Sequence, residues 1–171
     1  AKRLNRKAEL QLGRVREALA QGRPRDAWAE ALQLLAGRIR EPGVLNLAGI
    51  AAYQAGDAEQ ARELLGEAAR RAPGDAEIHM NFGNVLAGCG DAEAALQAYA
   101  SAHALAPGYP EPAFNAGVLL HKIKRYGDAA EWFRAALERD LDHRAAAIGR
   151  GEALHKVGDL AGAEAELQAL I

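Results

Sequence analysis

Residues 79–108 read HMNFGNVLAGCGDAEAALQAYASAHALAPG and raise the question of what their closely spaced glycines do. A phosphate-binding loop continues from its second glycine with Lys and then Ser or Thr, which meet the phosphates and magnesium. Here the second glycine, Gly88, is followed by Cys89 and Gly90 instead. The glycines of this stretch therefore need a structural explanation.

That explanation is an internal repeat with a spacing of 34 residues. A Gly-Asp pair, or part of one, recurs at this spacing at Gly22, Gly56-Asp57, Gly90-Asp91 and Gly158-Asp159. Only the fourth copy departs, with Lys124-Arg125 in the slot. An alanine follows each slot after five residues, at Ala27, Ala61, Ala95, Ala129 and Ala163. A second glycine series runs Gly49, Gly83, Gly117 and Gly151.

Each repeat predicts two helices joined by a tight turn. In the second copy, VLNLAGIAAYQ (residues 44–54) and AEQARELLGEAARRA (residues 58–72) flank Gly56-Asp57. A glycine can end a helix in the left-handed conformation, and an aspartate can cap the next helix. Pro73 then prevents the second helix from continuing. Five hairpins are predicted within one domain of residues 1–171, at about 8–41, 42–75, 76–109, 110–143 and 144–171.

The composition supports an all-α fold. Alanine, the strongest helix former, supplies roughly a quarter of the residues, and threonine is absent. The net charge of −2, with acids and bases interspersed, gives no electrostatic footprint for nucleic acid or for an anionic membrane. With Cys89 as the only cysteine and no apolar run long enough to span a bilayer, we expect a cytoplasmic protein.

The repeat resembles the tetratricopeptide repeat (TPR) family. The third copy carries the most signature residues, namely His79, Phe82, Gly83, Leu86, Ala95, Tyr99, Ala102 and Pro107. The fourth copy has Leu141 in the proline slot, and the fifth stops before that slot. The resemblance covers nearly the whole chain and implies a right-handed α-solenoid of five helical hairpins. It also implies that the first helix of each hairpin lines a concave groove that binds a protein segment.

The repeat assigns the glycines of the opening stretch to packing and to turns. A glycine inside a helix costs roughly 0.5–1 kcal/mol relative to alanine, so its recurrence at one register needs a repeated reason. Together with the alanine of the following helix, it would let two backbones approach closely. We therefore expect Gly83 to be a packing notch and Gly90 to be a turn residue.

Successive residues of an α-helix are rotated by 100° about its axis. On this basis, one face of each first helix packs inside the hairpin, and the stripe on the opposite face is left open. We predict that this stripe is the binding surface. Its candidate residues are Asn46, Ile50, Tyr53, Met80, Asn81, Asn84, Phe114, Asn115, His121, Lys122, His155 and Lys156. The same stripe also contains Val118, Ile148 and Glu152.

Two groups within the stripe suggest a way of binding, each with a plainer alternative. Asn81 and Asn115 occupy the same position in consecutive repeats and could pair with an extended peptide backbone, as an asparagine ladder does in some protein glycosyltransferases. The alternative is that each serves local polar groups or faces solvent. Tyr53, Met80 and Phe114 could anchor a partner's side chains, or could pack against neighbouring helices.

The pairs His121-Lys122 and His155-Lys156 recur one repeat apart. They could meet an acidic segment of a partner. The plainer interpretation is that they are cations favoured by the dipole near helix C-termini.

The sequence predicts no catalytic, cofactor or metal site. Ser101 and His103 are two positions apart, so they point in different directions on a helix and form no dyad. The five histidines lack metal-ligand spacing with the cysteine, and no H-E-x-x-H motif occurs. We therefore expect a non-enzyme.

The leading hypothesis is a non-catalytic protein–protein interaction scaffold that binds a peptide or protein segment in its groove, without nucleic acid or membrane partners. One alternative is a substrate-recruiting arm of a larger sulfotransferase, glycosyltransferase or hydroxylase. Another is a self-assembling structural subunit. The apolar end of the chain, with Leu160, Leu167, Leu170 and Ile171, suggests self-association or further protein beyond it.

Overall fold

A computed structural model describes residues 6–140 and 143–169 of the chain. Within those ranges every regular element is an α-helix. The ten helices described are α1 (Arg6–Ala20), α2 (Pro24–Ala36), α3 (Pro42–Ala55), α4 (Ala58–Arg71), α5 (Ala76–Gly88), α6 (Ala92–Leu105), α7 (Glu111–Lys122), α8 (Tyr126–Leu137), α9 (Arg144–Val157) and α10 (Leu160–Gln168). The expectations about Leu141, Leu170 and Ile171 lie outside the described residues.

Four of the predicted hairpins form, with α1 against α2, α3 against α4, α7 against α8 and α9 against α10. The Gly-Asp turns have the predicted chemistry. Gly56 ends α3 with φ of 97°, in the left-handed region, and Gly90 adopts φ of 84°. Asp57 then caps α4 by accepting a hydrogen bond from the backbone N–H of Gln60 at 3.2 Å. Asp91 and Asp159 cap α6 and α10 in the same way.

The fourth turn keeps this backbone without the usual residues. Lys124 occupies the glycine slot and still has φ of 65°, a conformation that side chains other than glycine's disfavour. Arg125 stands at the N-cap of α8 and makes no side-chain cap. The turn is nevertheless closed by backbone hydrogen bonds from the N–H of Lys124 to the carbonyl of His121 at 3.0 Å and from the N–H of Arg125 to that of Leu120 at 2.9 Å.

Contacts between helices divide the chain into two compact units, Ala1–Cys89 and Gly90–Ile171. We call them the N-terminal unit and the C-terminal unit. The boundary falls between α5 and α6, inside the predicted third hairpin. In the N-terminal unit each helix packs on the next, and α3 also contacts both α1 and α5. The C-terminal unit has the same order of contacts from α6 to α10, and α7 also contacts α9.

Two glycines of the second series are packing notches, although each makes room for a large side chain of the following helix and not for the predicted alanine. A Cβ atom at Gly49 would lie 2.6 Å from Cγ of Leu65, and one at Gly117 would lie 2.7 Å from Cδ1 of Phe133. At Gly151 the nearest side-chain atom, Cγ of Leu167, would be at 3.4 Å, which is ordinary contact. Gly83 is buried in α5, and its role as a notch stays a prediction.

None of the described helices is both long enough and apolar enough to cross a membrane.

Candidate functional site

The open stripe of the N-terminal unit lies on α3 and α5. Tyr53 is exposed, whereas Ile50 and Met80 are half-buried. The hydroxyl of Tyr53 occupies the place that a Cβ atom at Gly88 would take, so its ring reaches from α3 to the end of α5. Tyr53 therefore packs on a neighbouring helix and also offers surface to solvent.

Asn46 does not lie on the open surface, contrary to the helical-wheel expectation. It is only 6% exposed, and its Oδ1 accepts a hydrogen bond from Nδ2 of Asn81 at 3.1 Å. A helical wheel considers one helix at a time. It therefore does not show that Asn46 is buried where α5 packs on α3. The amide pair ties the two first helices together and orients the half-buried carboxamide of Asn81.

Asn84 and Asn115, which also belong to the predicted stripe, are half-buried. Each already has an interaction partner within the protein. The plainer alternative for Asn81 and Asn115, in which each amide serves local polar groups, has support because Asn81 bonds to Asn46 and Asn115 has a partner. The asparagine ladder stays a prediction.

In the C-terminal unit the stripe forms a cleft of about 330 Å³ between α7 and α9, which we call the α7/α9 cleft. Its lining residues are Phe114, Val118, His121, Phe133, Ala145, Ile148, Gly149 and Glu152. Two candidate residues, Phe114 and His121, therefore lie together, with three further residues of the predicted stripe.

The floor of the α7/α9 cleft is aromatic and closely packed. The ring of Phe133 is buried, and a Cβ atom at Gly149 would lie 2.7 Å from its Cζ. Phe114 packs over this ring with centroids 5.8 Å apart, and it lies 4.7 Å from the ring of His143. Val118 and Ile148 are 45% and 41% exposed, so they leave apolar surface open to solvent.

One polar pair stands at the edge of this apolar surface. Nε2 of His121 is buried, lacks a hydrogen bond, and lies 3.9 Å from Oε2 of the exposed Glu152. The edge of the His121 ring packs against Tyr126, with centroids 5.1 Å apart. The cleft thus offers apolar area with a carboxylate and an imidazole at its rim, a combination typical of binding sites.

The remaining basic candidates lie outside the α7/α9 cleft. Lys122 ends α7, and His155 and Lys156 lie in the last turn of α9. All three are exposed, and none lines the cleft. Their positions agree with the dipole interpretation.

Sequence reasoning assigned Phe133 to packing and overlooked it as part of the site. It belongs to a second helix, α8, but reaches the first-helix face because α7 and α9 both present glycines to it, Gly117 and Gly149. The signal in the sequence was Gly149, which holds the position that Asn81 and Asn115 hold in earlier repeats. A small residue there leaves room for the aromatic ring.

The described residues offer little for catalysis. Oγ of Ser101 donates a hydrogen bond to the carbonyl of Gln97 on its own helix at 2.9 Å. In residues 6–140 and 143–169, no three His, Cys, Asp or Glu side chains are grouped so that they could hold a metal ion.

Comparison with known proteins identifies the repeat. The sequence model described as Tetratricopeptide repeat matches residues 46–110, 113–140 and 122–171, which together make up well over half of the chain. No curated protein sequence matches the chain.

Solved structures share the fold at low sequence identity. A crystal structure of MamA protein superposes with a TM-score of 0.85 at 16% identity, covering 98% of this chain and 91% of that one. MamA 41-end from Desulfovibrio magneticus RS-1 gives 0.84 at 18%, covering 98% and 95%. Pseudomonas aeruginosa pilF gives 0.82 at 17%, covering 95% and 74%. At these identities the likeness shows the fold alone.

The all-α helical-repeat fold predicted from the 34-residue spacing is thereby confirmed. Repeats of this kind serve as protein–protein interaction scaffolds and present extended binding surfaces. The hairpins, their glycine turns and the family match lead to one conclusion: the chain belongs to the tetratricopeptide repeat family.

Proposed function

We propose that the chain is a non-catalytic protein-interaction module that binds a segment of a partner protein along its first helices. In the C-terminal unit the α7/α9 cleft receives an apolar side chain of that segment. The observation that carries the proposal is that five residues of the predicted open stripe line one cleft of about 330 Å³. This volume lies at the low end for small-molecule sites and suits one or two side chains.

The burial of the lining residues supports an anchor site. Phe114 and Phe133 form a fixed floor, whereas Val118 and Ile148 remain open to solvent. Burying exposed apolar surface contributes roughly 25 cal/mol per Å², so an incoming aliphatic or aromatic side chain would gain most here. Glu152 and His121 at the rim would then orient polar groups of the partner's backbone or neighbouring side chains.

The N-terminal unit contributes a separate polar surface. Tyr53, Met80 and Asn81 lie on α3 and α5 with the Asn81 carboxamide held by Asn46. An oriented amide can pair with a peptide backbone regardless of the side chains that the peptide carries. We propose that this surface contacts the segment through its backbone.

A matched pair of substitutions tests the α7/α9 cleft. Val118 lines the cleft and Leu105 does not, yet their exposures are 45% and 44%. Val118→Arg places a charge in the cleft, whereas Leu105→Arg places the same charge on another exposed apolar residue of the C-terminal unit. We expect quantitative mass spectrometry of captured proteins to lose a set of partners with Val118→Arg and to keep it with Leu105→Arg. Identical capture by both variants would contradict the assignment of the cleft.

A second candidate, self-association, is supported by the exposed apolar side chains of the last hairpin. Val157, Leu160 and Leu167 are 52%, 61% and 47% exposed. Leu160→Glu should lower the concentration-dependent mass measured by light scattering. A wild-type protein that remains monomeric at high concentration rules this candidate out.

A further inference from the structure

The second helices of the C-terminal unit enclose another cleft, which the proposed function does not use. It has a volume of about 370 Å³ and lies between α6 and α8, and we call it the α6/α8 cleft. Its lining residues are Glu93, Leu96, Gln97, Ala100, Leu120, Arg125, Asp128, Glu131 and Trp132. None of them lines the α7/α9 cleft.

The floor of the α6/α8 cleft is apolar. Leu96 and Trp132 are half-buried, Leu120 is buried and Ala100 is exposed. The indole of Trp132 is held by an edge-to-face contact with His103, at 5.7 Å between centroids. A tryptophan that is fixed on one side and partly open on the other can receive both apolar groups and cations.

The rim of the α6/α8 cleft carries an excess of negative charge. Arg125 is shared by two carboxylates, with NH1 at 3.0 Å from Oε1 of Glu93 and NH2 at 2.7 Å from Oδ2 of Asp128. The third carboxylate of the rim, Glu131, is bound by Arg134 at 2.8 Å, and Arg134 is itself shared with Glu138.

Each of these arginines thus serves two carboxylates, so the four carboxylates outnumber the two arginines that bind them. Charges of one sign around an apolar floor favour a partner of the opposite sign and disfavour like charges.

We propose that the α6/α8 cleft is a second docking surface, and that it binds a protein segment in which an apolar side chain is flanked by lysine or arginine. The apolar side chain enters between Leu96 and Trp132, and the flanking cations meet Glu93, Asp128 and Glu131. An acidic or phosphorylated segment is disfavoured there by like-charge repulsion. The inference does not depend on occupation of the α7/α9 cleft.

The chain supplies its own optical reporter for this site. It has two tryptophans, Trp28 in α2 and Trp132 in the α6/α8 cleft. In a Trp28→Phe background, fluorescence therefore reports on Trp132 alone. The probe is a synthetic peptide in which one leucine is flanked on each side by two lysines. Matched peptides replace the lysines with glutamates, or the leucine with alanine.

We expect the lysine–leucine peptide to change the emission of Trp132 saturably, and the glutamate peptide to leave it unchanged. Combined Glu93→Gln and Glu131→Gln substitutions should weaken the binding about tenfold. Ala100→Arg should abolish it, because this exposed alanine lines the cleft. Circular dichroism of each variant checks that the helices remain folded.

Three results would overturn the inference. They are the absence of a saturable response at millimolar lysine–leucine peptide, an equal response to the glutamate peptide, and an equal loss of binding in Val118→Arg. The last would show that the peptide occupies the α7/α9 cleft, so the two proposals can fail separately.

Discussion

The ring of Phe133 fills the space that a side chain at Gly117 would need. A Cβ atom there would lie 2.7 Å from Cδ1 and 2.8 Å from Cε1 of the ring, which is buried at 2% exposure. The same ring also meets Gly149, where a Cβ atom would lie 2.7 Å from its Cζ and 2.9 Å from its Cε2. Phe133 of α8 therefore packs against a glycine of α7 and a glycine of α9.

We therefore expect Gly117→Ala to lower the free energy of unfolding by about 1–3 kcal/mol, the usual cost of overpacking a core. Urea denaturation followed by circular dichroism measures it. Gly127→Ala is the matched control, because Gly127 lies in α8 and a Cβ atom there would meet no other atom within 4 Å.

The control should be neutral or should stabilise the protein by about 0.5–1 kcal/mol, as alanine favours a helix over glycine. Equal effects at the two positions would contradict the role of Gly117.

Lys124→Gly should stabilise the protein. Lys124 adopts φ of 65° in the slot where Gly90 and Gly158 have φ of 84° and 87°. Glycine removes a left-handed strain of roughly 1–2 kcal/mol but gives back about half of it as entropy of the unfolded chain, so we expect a net gain of about 0.5–1 kcal/mol. Thermal and urea unfolding measure it. If Lys124→Gly lowers the free energy of unfolding instead, the lysine side chain stabilises the fold by more than its left-handed backbone destabilises it.

Asn46 and Asn81 should be energetically coupled. Replacing either residue with alanine leaves the other without its hydrogen-bond partner, and for the buried Asn46 this costs about 1–3 kcal/mol. In a double-mutant cycle the second substitution should cost less than it does alone, with a coupling of about 0.5–1.5 kcal/mol. If the two substitutions have strictly additive effects on the free energy of unfolding, the hydrogen bond between the two amides contributes nothing to stability.

Glu67 should give part of the stability a dependence on acid pH. Hydrogen bonds from Arg40, at 3.0 Å from Nε to Oε1, and from Arg71, at 2.7 Å, hold the pKa of Glu67 at about 2 against the opposing effect of burial. Since its ordinary pKa is 4.5, the unfolded chain binds this proton first as the pH falls. The contribution is complete above pH 4.5 and is lost as the pH falls to about 2.

We expect Glu67→Gln to cost about 0.5–1 kcal/mol at neutral pH, and the difference from wild type to disappear as the pH approaches 2. Urea denaturation at a series of pH values measures the difference. Glu63→Gln, an exposed carboxylate on the same helix, is the control. A difference that persists unchanged into acid would rule out the ion pairs as its source.

The sequence predicts the hairpins well because their turns are local chemistry. Gly56 and Asp57 act on the two helices that they join, so their role can be inferred without knowing what packs elsewhere. The packing notch at Gly117 is nearly as easy to predict from the sequence, because its partner Phe133 belongs to the same repeat.

The candidate site is less predictable because it depends on contacts between repeats. A helical wheel assigned Asn46 to the open stripe, whereas α5 covers it. The same wheel grouped His121 with Lys122, although only His121 lines the α7/α9 cleft. The stripe becomes a cleft at Phe133, a side chain from another helix. A pattern read along one helix cannot place that side chain.

The end of α7 and the turn that follows it border both clefts of the C-terminal unit. His121 lies at the rim of one, and Leu120 and Arg125 line the other. Lengthening that short loop by one residue would alter both proposed binding surfaces in a single step. Under the two proposals, a change in this loop during evolution would therefore affect binding at the first helices and at the second helices together.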